Sequence, residues 1–243
     1  MPHPPELGNG VYFLPNFIMQ LQIAEIFKSI QGESTLAGTP CIFIRLTGCN
    51  LRCSYCDTAY AYEGGERLST DEVLSRVDNY TCHFVEITGG EPLIQDGLYP
   101  LINALLDRGK EILIETNGSI DIERIQRMKR FRNNGSSIKG IRIIMDVKCP
   151  ESGMSEKMKW ENLNKLGEHD EVKFVLTSRG DYNWSKMIIE KFSLIERCPV
   201  LMSPVYGRLN VAALSEWILN DNINVRLNLQ LHKYIWGDGI REV

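Results

Sequence analysis

Short apolar runs alternate with longer stretches whose apolar residues recur at helical spacing. Reading the compact runs as strands gives CIFIRLT (41–47), FVEIT (84–88), EILIE (111–115), IRIIMD (141–146), EVKFVL (171–176), VLMS (200–203) and RLNLQ (225–229). Between them the helical period predicts helices over 69–79, 97–108, 121–133, 155–166, 182–196 and 211–220. Several open on capping signals, such as Ser69 with Glu72 three residues on. A repeated strand–helix unit predicts an α/β fold on a parallel sheet, either an incomplete βα barrel or an open doubly wound sheet. No Pro/Gly/Ser-rich linker divides the chain, and FRNNGSSIKG (131–140) reads as one exposed loop. Residues 1–21 are expected to be an N-terminal extension, with the domain start near Met19, and 22–243 a single domain.

Composition narrows the classes. With 243 residues, 43% hydrophobic and 24% charged, the chain can bury a large core. A net charge of -4 with scattered basic residues supplies no general attraction to phosphate backbones, so nucleic acid is not expected as a direct partner. No apolar run approaches the roughly 18 residues of a spanning helix, so no membrane is expected. The opening MPHPPELGNGVYFLPNFIMQ lacks a basic n-region and a small-residue cleavage site. Seven cysteines, an odd and mostly unclustered set, argue against a disulfide framework and for a reducing compartment, the cytoplasm by default.

In parallel βα folds the ligand sits at the carboxyl ends of the strands. Past those ends lie GCNLRCSYCDT, GGEP (89–92), TNG (116–118), VKCPESG (147–153) and PVYG (204–207). The first holds Cys49, Cys53 and Cys56. Structural zinc wants four ligands, and no second CxxC or HxxxH pair completes a tetrahedron. A fully protein-ligated iron–sulfur cluster also needs a fourth thiolate. Three thiolates leave one iron of a cubane open to a small ligand. The isolated Cys82, Cys149 and Cys198 read as small hydrophobes.

C-x3-C-x2-C after the first strand, with Tyr55 before the last cysteine, resembles the cluster loop of the radical S-adenosylmethionine (SAM) superfamily, and GGEP resembles its SAM-binding motif. The resemblance implies an incomplete parallel βα barrel, a 4Fe-4S cluster, SAM chelated to the open iron, and an electron from a donor such as flavodoxin or ferredoxin. It also implies a 5′-deoxyadenosyl radical that abstracts hydrogen. Within that superfamily EIFKSIQGESTLAGTPCIFIRLTGCN (25–50) is similar to the amino-terminal signature of the 7-carboxy-7-deazaguanine synthases, as are CDT, ITGGEPL, ETNG, DVKCPESG and QLHKYIW. That family contracts 6-carboxytetrahydropterin to a deazaguanine acid with loss of ammonia, works with Mg2+, regenerates SAM and forms homodimers.

Carried over position by position, the resemblance implies that Ile30, Gln31, Gly32, Glu33, Arg45, Thr88 and His232 meet the pterin substrate. Arg45 is suited to bidentate recognition of the carboxylate. Tyr55, Gly89, Gly90, Glu91, Asp146, Val147, Lys148, Ser203, Pro204, Val205 and Tyr206 would form the SAM site, the glycines by letting backbone approach a ligand and Glu91 as an acceptor for the amino group. Thr58 would hold Mg2+. Ordinary alternatives stand beside these: Arg45 as an ion-pair partner, Thr58 as a cap, His232 as a hydrogen-bonded structural histidine, and Glu33 as a local turn acceptor. Some relatives place a terminal carboxylate on the substrate soon after the histidine, whereas this chain continues through KYIWGDGIREV. Trp236 in that tail would close the pocket or pack at a subunit interface. The competing readings are a glycyl-radical-enzyme activating protein, which leaves the QGE…R and QLHK segments without a purpose, and a non-enzymatic zinc-binding module.

Overall fold

Leu21, Ile23, Glu25 and Phe27 are buried at alternate positions of QLQIAEIFKSI. That period of two marks a strand, and Gln20–Ile30 forms strand β1. A bulge between Ile23 and Glu25 switches its faces, so Leu21 and Ile23 join the main core while Glu25 and Phe27 turn to the opposite side of the sheet. The computed structural model describes residues 19–132 and 140–242. Of the extension expected over 1–21, residues 1–18 lie outside the described residues, as does most of the loop expected at 131–140. Gln20 and Leu21 already belong to β1, with Leu21 buried in the core, so the domain begins before the expected residue 22.

β1 pairs antiparallel with β2 (Pro40–Leu46) on one side and with β3 (Glu66–Ser69) on the other. From β2 onward every pairing is parallel, through β4 (Phe84–Gly89), β5 (Glu111–Thr116), β6 (Ile141–Val147), β7 (Glu171–Leu176), β8 (Val200–Pro204) and β9 (Arg226–Leu227). The sheet order is β3-β1-β2-β4-β5-β6-β7-β8-β9, with β3 and β9 as unjoined edges. The sheet is therefore an incomplete barrel of the expected kind. The antiparallel flank β1 and β3 was not anticipated.

Helices α1 (Thr70–Val77), α2 (Leu98–Asp107), α3 (Glu123–Arg132), α4 (Arg179–Phe192) and α5 (Val211–Asn220) answer five of the six expected. Ser69 closes the capping box with Glu72 at the start of α1. The helix expected over 155–166 does not form; short 3-10 turns at 155–157 and 160–165 stand in its place. Asn162 explains the difference. Its buried side-chain amide donates to the carbonyls of Gly118 (3.1 Å) and Ile120 (2.7 Å) and accepts from Ile122 N (3.3 Å). Lys159 N also donates to Gly118 O (3.1 Å), so bonds to the 118–122 segment replace the helical ladder. A short helix α6 (Leu231–Trp236) appears where none was expected.

Strand faces divide sharply. Ile42, Ile44, Val85, Ile87, Ile112 and Ile114 join the main core with Leu101, Ile102 and Leu105 of α2. The alternate positions carry Arg45, Glu86, Thr88, Glu115, Asp146, Lys173 and Ser203 to one shared cavity. Register sets them side by side, Arg45 against Thr88 and Asp146 against Lys173.

Ile87 is fully buried and Phe131 is 89% exposed. Ile87→Ala is expected to lower unfolding free energy in urea by about 2–5 kcal/mol through loss of burial and a residual cavity, and Phe131→Ala by no more than about 0.5 kcal/mol.

Candidate functional site

Where β2 ends, the chain turns over the carboxyl edge of the sheet and meets the end of β4 backbone to backbone. Gly90 N donates to Leu46 O (3.1 Å) and Glu91 N to Gly48 O (2.7 Å). A Cβ on Gly90 would lie 1.9 Å from Gly48 O and 2.9 Å from Cys49 N, and one on Gly89, at φ +133, would lie 2.1 Å from Leu46 O. The double glycine thus admits the cysteine loop's own main chain to this edge.

Glu91 does not line the cavity; it is fully buried beneath it. Its carboxylate accepts from Thr116 Oγ1 (2.8 Å), Asn117 N (2.7 Å) and Leu93 N (3.0 Å). Burial pushes its pKa up against those three donors. In effect Glu91 fixes the ETNG turn, whose Asn117 donates to Asn50 Oδ1 (3.0 Å) and Cys49 Sγ (3.8 Å). Leu51 N donates to the same sulfur at 3.4 Å.

The cavity so framed has a volume of about 460 Å³. Cys49, Cys53 and Cys56 line it together with Tyr55, Thr58, Gly89 and Gly90. The turn Ile30, Gln31, Gly32 and Glu33 lines it too, as do Arg45, Thr88 and His232. From the far strands come Asp146, Lys148, Ser203 and Val205. Val147 instead points into the main core, Pro204 lies off the cavity wall, and Tyr206 packs edge-on against Tyr234 with ring centroids 5.6 Å apart.

Several cavity side chains were not anticipated. Lys173, 3% exposed, donates to Glu33 Oε2 (2.6 Å) and to Glu115, with Asp146 at 3.7 Å. Enclosure alone would raise the Glu115 pKa, but the Lys173 charge outweighs it and holds the carboxyl at about 2. Glu86 has no cation of its own; burial, then the neighbouring Glu115 charge, push it well above the ordinary carboxylate range, and Gln31 Nε2 donates to it. Charged residues in otherwise apolar strands, Glu86 in FVEIT, Glu115 closing EILIE and Lys173 in EVKFVL, were the available signal.

α6 ties this wall together. Gln230 Nε2 donates to Glu33 Oε1 (3.0 Å) and Asp57 Oδ2 (3.1 Å), and Lys233 pairs with Asp57 at 2.9 Å. His232 packs on Gly32, where a Cβ would meet its Nδ1 at 2.1 Å, and partial burial lowers its pKa, keeping it neutral. Thr58 makes no capping hydrogen bond to the following turn; its hydroxyl faces Asp57 Oδ1 at 3.1 Å.

The donor set fits a cluster. Three free thiols from one loop face one cavity, and two N–H groups already address Cys49 Sγ. Among the described residues no three His, Cys, Asp or Glu side chains converge at single-ion distance; the separate corners of a cubane do not ask them to. Buried Asp146 Oδ1 has no hydrogen-bond partner among the described residues and borders the same space, an acceptor open to a polar ligand.

Residues 43–141 match the model of the radical SAM superfamily, and the open parallel sheet with its three-cysteine loop is a radical SAM domain. The crystal structure of QueE from Escherichia coli shares the fold, with TM-score 0.69 and 24% identity over 88% of this chain and 95% of that one. A 7-carboxy-7-deazaguanine synthase from Chlorobaculum tepidum is 42% identical over 92% of this chain and 97% of the relative, and one from Koribacter versatilis 38% over 89% and 97%. The chain belongs to the 7-carboxy-7-deazaguanine synthase family. Among the described residues no helix is long and apolar enough to cross a membrane.

Gly90→Ala must displace the Gly48–Cys49 peptide, whereas a Cβ on Gly167 meets nothing within 4 Å. Iron retained after anaerobic reconstitution is expected to fall severalfold in the first variant and stay at the parent level in the second. Glu86, its folded pKa raised, contributes stability below its ordinary value of 4.5 that is lost as pH rises through the folded value. Glu86→Gln keeps an acceptor for Gln31, so its urea midpoint should match the parent at pH 4 and exceed it at pH 8.

Proposed function

We propose that this chain is a 7-carboxy-7-deazaguanine synthase, a carbon–nitrogen lyase that contracts 6-carboxy-5,6,7,8-tetrahydropterin to 7-carboxy-7-deazaguanine with loss of ammonia, in queuosine-type deazapurine biosynthesis. The observation that carries this reading is that one cavity joins the three-cysteine loop to the Ile30–Glu33 turn and Arg45, in a chain aligned nearly end to end with synthases of that name. When bound at Cys49, Cys53 and Cys56, a cluster with SAM supplies the one-electron cleavage and hydrogen abstraction that no side chain can.

The residues themselves bind, orient and exclude water. Gly90, Tyr55, Asp146, Lys148 and Ser203 border the SAM side, with Tyr55 anchored by its hydroxyl to Val175 O at 3.1 Å. Lys148 is paired to Asp146 at 2.9 Å, which leaves the second Asp146 oxygen to receive a ligand donor. Arg45 and Thr88, adjacent across the β2–β4 pairing, face substrate together with the Ile30–Glu33 turn. Lys173 and Gln230 hold Glu33 from two sides, so that carboxylate is preorganised. Thr58, beside Asp57, offers a hard oxygen to Mg2+. The protein is read as a cytoplasmic homodimer of single domains that begin by β1, reduced by flavodoxin or ferredoxin; family resemblance supports the dimer, the compartment and the reductant.

The test is incubation of anaerobically reconstituted protein with 6-carboxytetrahydropterin, SAM, Mg2+ and dithionite. The expected result is formation of the deazaguanine acid with SAM regenerated and a loss of rate when Mg2+ is omitted. SAM cleavage without that product would overturn the reading in favour of the activating-protein alternative.

A further inference from the structure

Ion clusters along the cavity wall differ in charge balance. Among the described residues, Lys173 serves both Glu33 and Glu115, Lys148 serves Asp146, and Lys233 serves both Asp57 and Asp238. Acids equal or outnumber bases in each. Glu25 reverses the pattern: its carboxylate accepts from Arg45 Nε at 2.6 Å, from Arg241 Nη2 at 3.3 Å and from the Tyr60 hydroxyl at 2.7 Å.

Among the described residues, two guanidiniums thus bond one carboxylate, a surplus of one positive charge within this cluster; Glu242, next to Arg241 on the cavity lining, pairs with neither arginine. The Glu25 side chain is 1% exposed, Arg45 18% and Arg241 53%, so the acid is interior and the bases flank the opening. Burial alone would raise the Glu25 pKa, but bonds from Tyr60 and Arg45, with Arg45's charge and Arg241, hold it below the ordinary value, so it stays ionised and shared. Arg45 finds no partner for its terminal nitrogens among the described residues. Arg241 arrives on the tail after α6, and its guanidinium lies 3.9 Å over the Tyr60 ring, which sets its plane at the mouth. Partly shielded from water, such a surplus attracts an anion, and an arginine fork matches a carboxylate.

We propose that Arg241 is a substrate-binding residue, which with Arg45 clamps the carboxylate of the pterin acid and closes the C-terminal tail over it. The inference rests on the functional reading above, because the substrate of that reaction brings the balancing anion.

The test uses full-length reconstituted protein and equilibrium binding of 6-carboxypterin and its 6-carboxamide, followed by pterin fluorescence, with SAM affinity measured in parallel. Arg241→Gln is expected to weaken 6-carboxypterin binding about tenfold, as loss of one charge-assisted contact does. Arg241→Lys should recover part of that loss, while affinity for the carboxamide changes less than about twofold and SAM affinity stays at the parent value. Equal weakening of both pterins, loss of SAM affinity in place of pterin affinity, or no change would overturn the proposal. A parent protein that binds neither pterin would overturn the functional reading itself, and this inference with it.

Discussion

The peptide contact between Gly90 and Gly48–Cys49 is the constraint on which the site depends. Two main chains approach at the carboxyl edge of β2 and β4 more closely than any side chain permits, and two hydrogen bonds close the gap. That contact settles where the cysteine loop leaves the sheet. Glu91, a residue further on, carries the effect to the ETNG turn and through Asn117 back to Cys49. One motif therefore positions a loop, a turn and a sulfur with bonds that are almost wholly internal to the protein.

Inside the incomplete barrel the same economy appears in charges. A buried ion is costly unless paired and hydrogen-bonded. Lys173 meets that requirement with Glu33 and Glu115, while Glu86, without a cation of its own, accepts from Gln31 and has its carboxyl pushed up by burial and the Glu115 charge. These side chains come from β4, β5 and β7, so the cavity's polarity is tied to strand register. A slip of one residue would send Glu86 and Lys173 into the outer core and isoleucines into the cavity. At the open edge Gln230, the residue before α6, bonds to both Glu33 and Asp57, joining the substrate-facing turn to the end of the cysteine loop.

Much of this was legible in the chain. All seven parallel strands, five helices and the cysteine loop follow from periodicity, capping residues and spacing, because each is a local property. β1 was less legible: Leu21, Ile23, Glu25 and Phe27 alternate with polar or small neighbours, but Glu25 is charged and the bulge before it moves the buried side chains from one face of the sheet to the other. The 155–166 segment misleads because its apolar spacing suits a helix, while Asn162 finds better partners across space.

The sequence by itself determined the α/β class, the three-thiolate loop and the family, since motif spacing survives without coordinates. Only the tertiary structure decided that Glu91 faces inward under the cavity, that Glu25 is shared by two arginines, and that Lys173 gathers acids from separate segments. Those facts depend on which face of each strand is enclosed and which distant residue lies opposite, and linear order does not encode distance across a folded sheet.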